Sequence, residues 1–212
     1  MSFSMPEIAV QRLIQYGIVH LRQNKDAFKD IFGYQIHHPI MSRAYGDAYV
    51  ERIWTWFNTE KIRTVHSWIL SAETVPCFSI HLASDSEDET KAAISDFYGD
   101  DDEVGEEVSV SWNSITVDIG IHASKTSDQV LWMYYIVSYI LFKYKTLAQS
   151  MGIELHTYSA TDWQKESNKM PDNVWTRWIR LRCTVSNTWS GQPFDGPFDI
   201  ETLMTYERLK DE

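Results

Sequence analysis

The chain has only two cysteines in 212 residues, Cys77 and Cys183, more than a hundred positions apart. It has no CxxC pair and no Cys/His zinc spacing, so neither a disulfide framework nor a zinc knuckle is expected. The two thiols, both in strand-like runs, read as reduced and buried. The chain also lacks an apolar run long enough to span a membrane. Its most apolar stretch, Val130 to Phe142, is shorter than the ~20 residues such a helix needs, includes Ser138 and closes on Lys143 and Lys145. That stretch reads as a buried helix. The opening MSFSMPEIAV has neither a basic n-region nor an apolar h-region, so no secretory signal is expected there. A basic field for nucleic acid is missing. So are GxSxG, a Walker loop, GxGxxG and HExxH, and no nucleophile stands beside a base at a recognisable spacing.

Aromatics are abundant, with nine Trp and eleven Tyr, and 43% of residues are hydrophobic. This composition excludes disorder and favours large contact surfaces, within one core or between chains. The net charge is −11, and its distribution is lopsided. Asp85 to Glu107 holds eleven acids against Lys91 alone, a charge of −10, which leaves 19 acids and 18 bases elsewhere. The expected organisation is one α/β domain over residues 1–190, with a solvated acidic loop at 84–107 and an extended C-terminal arm at 191–212. Asp100, Asp101, Asp102 and Glu103 are candidate interface residues, because such a segment repels phosphate and attracts basic surfaces. Its spacing fails the EF-hand pattern, and no metal or cofactor is expected.

Helix signals dominate the first third. Ser4 and Glu7 form a capping box with Pro6 in the first turn, followed by a stripe of Ile8, Leu13, Ile14, Gly17, Ile18 and Leu21. Asn24 caps a second helix, Lys25 to Phe32, ended by Gly33. A polar, aromatic connector with His37, His38 and Pro39 leads to a helix from Asp47 to Phe57.

The period then changes to two. Ile62–Ile69 and Val75–Leu82 are strand candidates. Val108, Val110 and Trp112 alternate with serines, and Ile115, Val117, Ile119 and Ile121 alternate with polar residues. The apolar parity switches at Asn113–Ser114. A two-residue hairpin there is the preferred reading, and a bulge in one long strand the other. Thr126 and Gln129 open the longest helix, Ser127 to Met151, with Gly152 behind it. Ile153–Tyr158 reads as a strand and Thr161–Asn173 as a loop. Val174–Trp189 reads as a long strand with Arg180, Arg182 and Trp178 on its polar parity. Those three residues and Trp189 complete the candidate interface set. The fold class expected is α+β, with a mixed or largely antiparallel sheet packed on a long buried helix and an N-terminal helix.

One catalytic alternative exists. His81, His122 and Asp118 sit on polar strand parities, and neighbouring strands could bring them together as the site of a small metal-assisted hydrolase.

The order of features resembles the neck and tail-completion (tail terminator) proteins of tailed bacteriophages. An amphipathic N-terminal helix precedes VPCFSIHL, the acidic segment and ITVDIGIHAS. The aromatic helix QVLWMYYIVSYILFKYKTLAQSMGI and the strand VWTRWIRLRCTVSNTW follow. The resemblance covers roughly residues 6 to 190 and rests on layout. It implies a virion protein, assembled in the host cytoplasm, that forms a homo-oligomeric ring, usually a hexamer. Such a ring caps the tail and joins tube and sheath to the head connector. DNA passes through it without specific binding, and neither catalysis nor a membrane is involved. A tube, sheath or connector-adaptor subunit is the neighbouring reading.

Overall fold

The computed structural model describes residues 5–66, 75–87, 97–101, 106–162 and 174–191. Pro6 opens α1 (Pro6–Gln23) at its first turn, where a missing N–H costs nothing. Met5, without a side-chain cap, holds the N-cap position that the sequence assigned to Ser4, which lies outside the described residues. Leu13, Ile14, Gly17, Ile18 and Leu21 of the expected stripe are buried together with Val10, whereas Ile8 is exposed. Asn24 caps α2 (Lys25–Ile31) by accepting from the Ala27 N–H at 3.0 Å. Gly33 does not end this stretch. It opens α3 (Gly33–His37), which is followed by α4 (Met41–Tyr45), so the connector is two short helices. The amphipathic α5 (Asp47–Thr59) buries Val50, Ile53 and Phe57.

β1 (Arg63–Val65) pairs parallel with β2 (Cys77–Glu87), and all other pairings are antiparallel. The sheet order is β1-β2-β4-β6-β5, with β4 at Glu106–Ala123, β5 at Ile153–Asp162 and β6 at Trp175–Gly191. β3 (Phe97–Asp101) lies beside β4 on the edge that β2 also uses. The fold is therefore α+β with a mixed, mostly antiparallel sheet.

The acidic segment is not a single loop over 84–107. Asp85 and Glu87 lie in β2, Asp100 and Asp101 in β3, and Glu106 and Glu107 in β4. A ladder satisfies backbone N–H and C=O groups whatever the side-chain charge, and alternation lets charges point into solvent. Asp102 and Glu103 lie outside the described residues, as does the arm beyond Gly191.

The expected hairpin at Asn113–Ser114 is absent. β4 runs straight through these residues, and its ladder with β6 is unbroken from Glu107↔Gly191 to Ala123↔Trp175. The register shifts lie in other strands, between Leu82 and Ser84 in β2, between Phe97 and Asp100 in β3 and between Leu155 and Thr157 in β5. The parity switch has a different cause. At ~3.4 Å per residue β4 is about 60 Å long, while α6 (Ser127–Lys143) reaches only about 25 Å. Ile115, Val117, Ile119 and Ile121 on β4 and Ile179, Leu181, Cys183 and Val185 on β6 are buried in one core with α1 and α6. The strands outrun the helices, and Trp112, past that limit, lies on the parity of Thr116 and Asp118.

α6 ends at Lys143, about two turns before the expected Met151, and α7 (Lys145–Ser150) follows. Gly152 then takes the left-handed conformation, with φ 81°, that releases the chain into β5.

α1 crosses α6 at Gly17, where an added Cβ would meet three side-chain atoms of Ile140 at 2.5–2.8 Å. Ile140 is fully buried and β-branched, so it cannot swing away. Gly17→Ala is expected to destabilise the chain by about 1–3 kcal/mol despite alanine's better helix propensity, and to cost much less in an Ile140→Ala background, which removes all three of those atoms. Urea denaturation of the single and double variants checks this; a Gly17→Ala chain as stable as the parent would refute the close approach.

Candidate functional site

The helices cover one face of the sheet. The other face carries Cys77, Ser79 and His81 from β2, Asp118, Gly120 and His122 from β4, and Thr176, Trp178 and Arg180 from β6. The sequence places Ser79 and His122 on polar strand parities, yet both, like Cys77, are 0% exposed. His122 uses both ring nitrogens. Nε2 lies 2.7 Å from Ser79 Oγ and Nδ1 lies 3.0 Å from Thr176 Oγ1. Gly120 leaves room for this, since a Cβ there would lie 2.4 Å from both His122 Nε2 and Ser79 Oγ. Burial pushes His122 down to about 3, with the His81 ring adding to the shift, so the imidazole is neutral at pH 7. Burial likewise pushes the Cys77 thiol up to about 12. Both cysteines are free and buried, as the sequence indicated.

The three residues of the catalytic alternative share this face but do not converge. The Trp178 indole packs at 5.6 Å from the His81 ring and 5.7 Å from the His122 ring. Asp118 Oδ1 and Oδ2 each accept from the Arg180 guanidinium at 2.9 Å, in a bidentate pair. Among the described residues no group of three His, Cys, Asp or Glu side chains is placed to hold a metal ion. Ser79 and His122 have the spacing of a nucleophile and its base, but their third partner is a hydroxyl. Full burial keeps any substrate atom from Ser79 Oγ while the face stays closed.

The interface residues separate into two places. Trp178, Arg180 and Arg182 lie over the helix-backed part of β6, with Arg180 and Arg182 exposed. Asp100 and Asp101 pair with Glu107 and Glu106 at the far end of β4, and Trp189 pairs with Ser109 nearby. Arg180 meets its acid within its own chain, at Asp118, and so is no free counterpart for the acidic segment.

A third feature escapes the sequence reading. α4, α5 and the first half of α6 enclose a groove of about 620 Å³ walled by Phe32, Tyr45, Tyr49, Trp132 and Tyr135. Arg52 and Asp128 are its charged residues. The available signal was the helical spacing of Tyr45, Tyr49 and Arg52, matched by Asp128, Leu131, Trp132 and Tyr135.

No helix among the described residues is long and apolar enough to cross a membrane. Comparison with protein-family models and with curated proteins finds no match.

Proposed function

We propose that the chain is a structural virion subunit that closes into a ring at the head-proximal end of a phage tail, as a terminator or neck protein does. The observation that carries this reading is the unbroken β4–β6 ladder running beyond the helices. There the apolar parity of the sequence passes to Val108, Val110 and Trp112, and Trp112 shares the face of Thr116 and Asp118, away from α1 and α6. A chain that turns apolar positions away from its own core has a reason to meet another chain. Closing a ring needs two different complementary patches on each subunit. The ladder extension with its acidic end is one, and the aromatic helical surface is the other. No bond-making step enters this role.

Electron microscopy of the purified protein with sedimentation analysis tests the reading. Closed rings of one size are the expected result. Open-ended tubes would assign the chain to the tail tube instead, and a monomer at every concentration would end the assembly reading. Trp112 pairs with Ser186 on the extension and is half-buried. Trp112→Asp is expected to leave a folded chain that no longer closes rings. Losing a tryptophan anchor costs about 2 kcal/mol or more per contact, roughly thirtyfold in affinity. Wild-type ring yield from this variant would remove the extension from the interface.

A further inference from the structure

The groove between α4, α5 and α6 has a built-in cation. The Arg52 guanidinium lies 5.0 Å from the Tyr49 ring centre and 5.8 Å from that of Trp132. Trp132 Nε1 donates to Tyr49 Oη at 2.8 Å, which fixes the two rings against each other. An exposed arginine held this way has lost much of its rotamer freedom before any ligand arrives. The cavity beside it is aromatic, so it suits an apolar ring followed by a carboxylate.

We propose that this groove receives the C-terminal arm of a second copy of the chain, through Phe194 to Ile200. The arm reads Phe-Asp-Gly-Pro-Phe-Asp-Ile, two Phe–Asp pairs on either side of Gly196–Pro197. Residues 192–212 hold six acids and two bases, a net −4 that complements Arg52. Asp128, in the first turn of α6, disfavours a carboxylate on its own side and so directs the arm's acids towards Arg52.

Reach decides between copies. The groove lies at the Trp175 end of the sheet, where Arg177 on β6 packs 4.8 Å from the ring centre of Tyr134 on α6. The arm leaves β6 at Gly191, about 45 Å away along the strand. Ile200 is nine residues further on and extends at most about 30 Å, so a chain cannot seat this segment in its own groove. The inference rests on the ring reading, in which each subunit hands its arm to the next.

The test uses full-length chains. Ala48→Cys, on the exposed groove wall, and Gly196→Cys are placed in separately tagged copies, co-expressed and oxidised; the native thiols are buried. A disulfide-linked pair with one copy of each is expected. Arg52→Glu in the first copy should lower its yield roughly tenfold, and Asp195→Arg with Asp199→Arg in the second should restore it. Rings without the cross-link would overturn the groove assignment and leave the ring standing. Cross-linked pairs without rings would uphold the groove and overturn the ring. An intrachain disulfide in a copy carrying both cysteines, with no mixed pair, would overturn the exchange between copies.

Discussion

Acidification from pH 6.5 to pH 4.5 is expected to cost the chain about 2–3 kcal/mol of folding stability, mostly through His122. The folded state holds this imidazole neutral, with its pKa depressed from 6.5 to about 3 by burial. The unfolded chain takes up the proton as pH drops through 6.5, whereas the folded chain does so only near pH 3. The stability is therefore fully present above pH 6.5 and falls by up to about 1.4 kcal/mol per unit below it. His81 shifts in the same direction, chiefly by burial, with Asp118 opposing. Glu51 and Asp162, held below the usual carboxylate range by Lys25, Lys29 and Arg177, slope the same way towards pH 4.5, so the histidine share is read from the difference between the parent and the His122 variant. His122→Gln keeps a neutral hydrogen-bonding side chain and is expected to flatten the slope, even if it is less stable at pH 7. Urea midpoints at pH 6.5, 5.5 and 4.5 decide the matter; equal slopes in the two proteins would show that His122 is not held neutral.

Phe28→Ala is expected to cost about 3–5 kcal/mol, a large share of a typical domain's stability. Phe28 is the only residue that the seven-residue α2 buries. Its ring packs 5.1 Å from Phe57, 5.0 Å from Trp54 and 5.5 Å from Phe32. The polar ties between α2 and α5 are of small value: Lys25 and Lys29 form exposed ion pairs with Glu51, and the Lys25 ammonium lies 5.9 Å from the Trp54 ring centre. Phe32 also packs on Tyr135 at 6.4 Å, so loosening α2 disturbs the groove wall as well. A melting temperature lower by roughly 10 °C is the expected readout. A loss under about 1 kcal/mol would mean that α2 is anchored elsewhere.

Helices were the most legible part of the sequence, because their spacing, caps and stop residues act locally. Pro6, the Asn24 cap, Asp47 and Gly152 all mark what they should. The misreadings arose where a distant neighbour decides. Asn113–Ser114 carries a parity switch that a turn would also produce, and only the length of the helices against the strands reveals a straight strand. Gly33 has the composition of a helix end, but the chain restarts a helix there. His122 alternates with apolar residues like any surface histidine, and its burial comes from groups on two other strands. The partner of Arg180, Asp118, is 62 positions away in sequence, so the pair is not legible along the chain.

The meeting of β2 and β3 on one edge of β4 has a practical side. Glu87 stands opposite Asn113 and Phe97 opposite Ser109, so ten steps of chain accompany four steps of the partner strand. Each strand takes its register from its own pairs with β4, so neither register is set by the number of residues between the two anchors. This makes the interval from Glu87 to Phe97 the natural point for grafting a reporter peptide or an affinity tag.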